Sequence, residues 1–134
     1  MTIKIATPRP PFLRALGVEN YKAIRASGMV RLGPLTVFIG NNGSGKSSLI
    51  EAARTYQRLL LDGVDAAFAD VLGFEHVRNK ALLTDAKWAR RSAAVRVRVK
   101  AKFPDALGEY DATLAVNADA SGNRVFIEIG RAHV

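Results

Sequence analysis

The sequence contains no cysteine among its 134 residues. This absence excludes a disulfide framework, a thiolate metal site and a cysteine nucleophile, and it makes a reducing compartment the expected environment. Residues 1–11 hold three of the five prolines and lack an apolar run long enough for a signal-peptide core or a membrane helix. We therefore expect a cytoplasmic protein with no membrane partner, and a disordered tail over residues 1–11.

Aromatic residues are also scarce, at 7%, while 49% of the chain is hydrophobic and 24% is charged. This composition is that of one ordinary soluble domain and excludes collagen-like and low-complexity chains. A chain of this length buries about two thirds of the surface that its unfolded form exposes, so it has room for one core. The net charge of +8 favours acidic partners such as nucleotides or nucleic acid.

The first half of the sequence predicts two strands and then a third of a different kind. Residues 12–21 and 29–32 are apolar with few interruptions, and a turn is expected around Ser27 and Gly28. Residues 35–39 read Leu-Thr-Val-Phe-Ile, with almost no polar face, which is typical of a strand covered on both sides. We interpret this run as a buried parallel strand.

A helix is predicted after the glycine-rich segment that follows. Its apolar side holds Leu49, Ala53, Tyr56 and Leu60 at helical spacing, and it is expected to end near residues 62–63. Residues 64–72 favour a further short helix, and an irregular connection follows.

The second half of the sequence predicts an antiparallel meander. Residues 95–103 alternate strictly between apolar side chains and four cations, and residues 110–116 and 124–129 continue as strands. The turns between them are expected at residues 104–105 and 121–123. The cations Arg96, Arg98, Lys100 and Lys102 could follow a nucleic-acid backbone, with Arg90 and Arg91 upstream. We favour a solvated face, neutralised in part by Asp111 and Glu128.

Residues 40–47 read Gly-Asn-Asn-Gly-Ser-Gly-Lys-Ser and match the phosphate-binding pattern G-x-x-x-x-G-K-S/T. Glycines allow successive backbone N–H groups to point inward around a phosphate chain. Lys46 then brings a cation to the β and γ phosphates, and the Ser47 hydroxyl is suited to coordinate Mg²⁺. The start of the predicted helix adds its positive end.

Residues 33–52, preceded by the run Val-Glu-Asn-Tyr-Lys-Ala-Ile at 18–24, closely resemble the opening of RecF- and SMC-type ATPases. These belong to the ABC-like group of AAA family ATPases, which serves DNA repair, chromosome maintenance and anti-phage defence. The resemblance covers residues 12–61. It implies an α/β P-loop NTPase fold of the ABC-ATPase head type, in its N-terminal portion, with an antiparallel β subdomain over the rest of the chain.

The resemblance also implies ATP and Mg²⁺ as cofactors and a homodimer of heads in the full-length protein. It leaves open whether DNA is a partner. The metal would be held by Ser47. In this family a basic residue that touches the nucleotide often falls at the position of Lys22, and Tyr21 could stack near adenine. An aromatic residue followed by a lysine on a first strand is more often a core residue beside a solvated one. The residues carried over to the phosphates are Gly40, Asn41, Asn42, Gly43, Ser44, Gly45, Lys46, Ser47 and Ser48.

No catalytic residue can be identified from the sequence. An ATP hydrolase of this class needs a strand of four apolar residues followed by Asp and Glu, and no Asp is followed by Glu anywhere in the chain. The Leu-Ser-Gly-Gly-Gln-like motif of the family is absent too, and the one glutamine, Gln57, lies on the helix after the loop. His76 stands alone and is expected to be a surface residue rather than a metal ligand.

The last six residues, Ile-Gly-Arg-Ala-His-Val at 129–134, match one reading frame of a common sequencing-adapter sequence. We therefore expect a fragment of a longer gene, with part of an ATPase head at 12–128 and a non-native tail at 129–134, where His133 would be accidental. Two alternatives stay open: a fragment of an ABC transporter ATPase subunit, and a non-enzymatic nucleotide- or DNA-binding module. A small-molecule kinase or a GTPase fits less well, because Asn79-Lys80 lacks the following acidic residue that would recognise guanine.

Overall fold

The computed structural model of the protein describes residues 12–69, 73–78, 94–102, 108–118 and 124–133. Five strands form one sheet: β1 Phe12–Tyr21, β2 Ile24–Arg31, β3 Val95–Lys102, β4 Glu109–Ala118 and β5 Val125–His133. Their spatial order is β2-β1-β3-β4-β5, and each neighbouring pair is antiparallel. Between β2 and β3, the described residues include three helices: α1 Lys46–Asp62, α2 Val64–Ala69 and α3 Phe74–Val77.

The core lies between one face of the sheet and the helices. Strand β3 shows why the chain folds this way, because its alternation puts Val95, Val97 and Val99 on the buried face and its cations on the other. The valines pack with one side of α1, which buries Leu49, Ala52, Tyr56 and Leu59. Helix α2 adds Phe68, whose ring meets that of Phe74 edge to face at 5.2 Å between centroids.

The predicted α/β P-loop NTPase layout, of the ABC-ATPase head type, is wrong for this structure. The sheet is entirely antiparallel, and residues 32–45 form no strand. The buried parallel strand expected at residues 35–39 is instead irregular: Leu35 is 87%, Val37 70% and Ile39 92% exposed, while Phe38 is partly buried and packs against the core. A continuous apolar run becomes a central strand only where other strands accept its backbone hydrogen bonds, and the described sheet places none beside it.

Smaller corrections concern the first hairpin and α1. Strand β1 has the predicted bounds, but the hairpin turns at Lys22 and Ala23 rather than at Ser27 and Gly28. Gly28 does take a left-handed φ of 62°, yet it lies inside β2. Helix α1 ends at Asp62 as expected, whereas Leu60 is 57% exposed and not part of the buried side.

The predicted meander is confirmed as β3, β4 and β5, and the short helix after α1 is confirmed over Val64–Ala69. Residues 129–133 belong to β5 and pair with β4. The turns expected at 104–105 and 121–123, the tail at 1–11 and the cations Arg90 and Arg91 lie outside the described residues.

Candidate functional site

The phosphate loop, residues 40–47, runs from the exposed segment 35–39 into the first turn of α1. Two of its three glycines have backbone angles that favour glycine. Gly43 has φ of 83° and Gly45 has φ of 96°, values that residues with a Cβ rarely adopt. At Gly40 an added Cβ would lie 2.8 Å from Ser44 Oγ, so the Ser44 side chain would have to move. Ser44 N–H also donates a hydrogen bond to the carbonyl oxygen of Asn41 at 3.1 Å, so the backbone turns within the loop.

The N-terminus of α1 starts directly from this loop. Gly45 occupies the N-cap position in a left-handed conformation, and no side chain caps the helix there. The first N–H groups of a helix have no partner inside the helix, and they carry a partial positive charge. An anion held by the loop would supply the missing acceptor.

Lys46 brings its ammonium group back over the loop. Its Nζ donates hydrogen bonds to the carbonyl oxygens of Gly40 and Asn41, the latter at 2.8 Å, and lies 3.3 Å from Ser44 Oγ. The cation is thus held inside the curve of the loop by neutral oxygens. A phosphate entering there would meet a positioned positive charge, with which it forms a stronger, charge-assisted bond.

The two serines of the motif and the following Ser48 differ in exposure. Ser44 and Ser47 are exposed beside the loop, and Ser48 is buried on the core side of α1. The predicted metal ligand, Ser47, is therefore accessible. No group of three or more acidic or histidine side chains that could hold a metal ion occurs within the described ranges. A magnesium ion at Ser47 would draw its other ligands from phosphate oxygens and water.

Tyr21, expected from the resemblance to stack near adenine, is fully buried. Its hydroxyl lies 2.9 Å from Thr55 Oγ1 on α1, and burial raises its pKa above the ordinary value of 10.0, more than the hydrogen bond to Thr55 lowers it. In this structure the ring joins β1 to α1 within the core, so a nucleotide base cannot reach it.

Lys22, the second residue suggested by the resemblance, forms a salt bridge with Glu51 of α1. Both side chains are partly exposed, and Lys22 has a left-handed φ of 46° at the hairpin turn. The pair connects the end of β1 to the second turn of α1. Lys22 therefore helps to position the helix that carries the phosphate loop.

The cations of β3 are distributed over a face that also carries carboxylates. Arg98 donates two hydrogen bonds to Asp111, at 2.8 and 2.6 Å, and this contact raises the pKa of its guanidinium. Lys100 lies 3.8 Å from Asp111, and Arg96 lies 3.5 Å from Glu19 of β1. The expected neutralisation by Asp111 is confirmed, and the side chain of Glu128 lies outside the described part of the chain.

Sequence reasoning missed three partners of the site: Glu51 for Lys22, Thr55 for Tyr21, and Ile24, which packs against the loop. A Cβ at Gly45 would lie 3.0 Å from Ile24 Cγ1. These contacts join residues about 20 to 35 positions apart, and neither helical nor strand periodicity carries a signal for them.

Comparisons with known proteins return no matching family model, no matching curated protein and no matching solved structure. Across the ranges that the structure describes, no helix is both long and apolar enough to cross a membrane. His76 lies exposed in α3, and Gln57 is exposed on α1.

Proposed function

We propose that residues 40–48 bind the triphosphate of ATP together with Mg²⁺. The observation that carries the proposal is the position of Lys46 Nζ inside a glycine loop at the uncapped start of α1. Loop amides, helix dipole and lysine act on the same small volume, and each favours a phosphate group. Ser47 supplies an exposed hydroxyl for the metal, and Asn41 and Asn42 are exposed at the rim of the loop.

The wider role rests on the resemblance of residues 12–61 to RecF- and SMC-type ATPases. It supports a cytoplasmic protein with a part in DNA repair, chromosome maintenance or anti-phage defence. In the full-length protein two copies would enclose ATP, and whether DNA is a partner is left open. The antiparallel sheet does not add to this wider role. The proposal of ATP binding does not depend on this wider role, because it rests on the loop and the start of α1.

Equilibrium titration with Mg-ATP tests the binding proposal. Lys46→Ala removes a charge-assisted contact of about 1.5 to 3 kcal/mol. The dissociation constant should therefore rise more than tenfold. The matched control is Lys102→Ala, which makes the same change at an exposed position on β3. Equal ATP affinity in the wild type and Lys46→Ala, both folded by circular dichroism, would overturn the proposal.

We propose further that the chain binds ATP without turning it over. The loop and magnesium would position the phosphates, but a carboxylate that activates water supplies a large part of the rate acceleration in hydrolysis. The apolar strand ending in Asp-Glu that would carry this carboxylate is absent from the sequence. Phosphate release by the wild type should equal that of Lys46→Ala, with and without DNA. Steady release above that background would contradict this part of the proposal.

A further inference from the structure

A cavity of about 430 Å³ opens beside the phosphate loop, between the β1–β2 hairpin and the start of α1. Its volume is within the range of small-molecule sites. Ser44, Gly45 and Lys46 form one side of it, so the cavity and the loop share residues. A molecule whose phosphates lie in the loop would have its remaining atoms within reach of this space.

The opposite wall is apolar. It includes Ile24, Val30 and Phe38, which are partly buried and packed against the core, and the buried Leu49 of α1. Arg25 adds one exposed cation at the same cavity. An apolar wall with few polar groups suits a flat ring, and the nearby cation suits the anionic chain attached to that ring.

The hairpin wall and the loop are in direct contact. A Cβ placed at Gly45 would lie 3.0 Å from Ile24 Cγ1, so Ile24 would have to shift to accept one, and the left-handed φ of Gly45 favours glycine as well. Meanwhile Tyr21 is buried against Thr55, and Lys22 is paired with Glu51. Among the described residues, the apolar surface beside the loop is thus the one that includes Ile24 and Phe38, and it lines the open cavity.

We infer that this cavity holds the base and ribose of the bound nucleotide, with Ile24 and Phe38 contacting the base and Arg25 near the ribose and α-phosphate. The inference rests on the proposed function, because it places the rest of the molecule whose phosphates occupy the loop. It assigns the nucleoside to a surface that does not include Tyr21.

Two ligands separate the two proposals: Mg-ATP and inorganic triphosphate with Mg²⁺. The phosphate loop binds both, and only ATP uses the cavity. In the wild type we expect ATP to bind at least tenfold more tightly than triphosphate. Ala23→Trp places a large ring at an exposed residue that lines the cavity, and it should abolish this advantage while triphosphate affinity stays within twofold. Ala69→Trp, at an exposed position of α2, is the matched control and should change neither affinity.

Retained triphosphate binding by Ala23→Trp also reports that the variant is folded. Should Ala23→Trp lose both ligands, Ala26→Phe on β2 repeats the test from another lining position. If the wild type binds triphosphate as tightly as ATP, and Lys46→Ala weakens both, the phosphate site stands and the nucleoside site is overturned. An ATP advantage that survives both filling variants overturns it as well. If neither ligand binds the wild type, the proposed function fails, and this inference fails with it.

Discussion

Strand β3 and the segment at residues 35–39 have similar side chains and opposite environments. Val95, Val97 and Val99 are at most 8% exposed, whereas Leu35, Val37 and Ile39 are at least 70% exposed. The difference is in their neighbours, because β3 lies between β1 and β4 and under α1, while segment 35–39 borders no strand in the described sheet. Apolar composition therefore predicts a strand in both, but strand pairing and burial depend on partners elsewhere in the chain.

The sharpest test of this comparison introduces the same charge into both regions. Val97→Asp puts a carboxylate among Val18 and Leu114, where it has no partner, and should cost several kcal/mol, a large part of a domain's stability. Val37→Asp, at a position 70% exposed, should change stability by about 0.5 kcal/mol or less. Urea unfolding followed by circular dichroism measures both. A loss at Val37→Asp equal to that at Val97→Asp would show that segment 35–39 is buried in solution.

The next largest effect concerns the exposed segment itself. Because Leu35, Val37 and Ile39 present apolar surface, we expect the protein to bind a hydrophobic dye and to be poorly soluble. The triple variant Leu35→Ser, Val37→Thr and Ile39→Ser should lower dye fluorescence severalfold and raise solubility, with little change in unfolding free energy. A monomeric wild type that binds no dye would contradict the exposed state of this segment.

The sequence predicted those elements whose pattern is local. The alternation of residues 95–102 predicts β3 and its buried face, and the glycine after Asp62 predicts the end of α1. The hairpin turn could not be predicted, because it depends on left-handed conformations at Asn20 and Lys22, which non-glycine residues adopt infrequently. Segment 35–39 was mispredicted because a continuous apolar run does not show which strands would cover it.

The same division holds for the candidate site. Residues 40–47 are recognisable from their spacing alone, because each fixed residue type has its own task toward a phosphate. The bonds from Lys46 to the loop carbonyls and the contact of Ile24 with Gly45 are properties of the folded chain. The resemblance pointed to Tyr21 for the base, and the structure instead gives Tyr21 a partner on α1.

A moderate effect on stability is expected from the hydrogen bond that joins Tyr21 of β1 to Thr55 of α1. Tyr21→Phe removes the hydrogen bond between Tyr21 and Thr55 and leaves the buried Thr55 hydroxyl without that partner. The free energy of unfolding should therefore fall by about 1 to 2 kcal/mol. Thermal unfolding of Tyr21→Phe against the wild type measures the change. An unchanged midpoint would show that the pair adds nothing to stability.

The free energy of unfolding should depend on pH in the alkaline range, because of Tyr21 and of Tyr56. Burial, aided for Tyr56 by the neighbouring Tyr110 hydroxyl, raises both pKa values above the ordinary 10.0. Both tyrosines ionise more readily in the unfolded chain. Their contribution to stability is therefore fully present below pH 10 and is lost as the pH rises through their pKa values in the folded state. Urea midpoints should therefore fall above pH 10, and less steeply in the double variant Tyr21→Phe and Tyr56→Phe. An equally steep fall in that variant would contradict the assignment.

The smallest effect belongs to the basic face of the sheet. Asp111→Asn removes the carboxylate that contacts Arg98 and Lys100, but exposed ion pairs contribute little. We expect the free energy of unfolding to fall by about 1 kcal/mol or less at physiological salt, and by less still in high salt. A clear destabilisation that persists in high salt would show that this face is held together by its charges.

Amide chemical shifts test the central claim most directly, because they report the loop and the sheet in one experiment. On addition of Mg-ATP to the wild type, the largest changes should fall on the N–H groups of Gly43, Gly45, Lys46 and Ser47, while Arg98 and Thr113 in the paired strands β3 and β4 stay unchanged. Lys46→Ala should reduce these changes at equal ATP concentration. Shifts confined to the cation-bearing strand β3, with an unchanged loop, would contradict the account and assign ATP to the basic face instead.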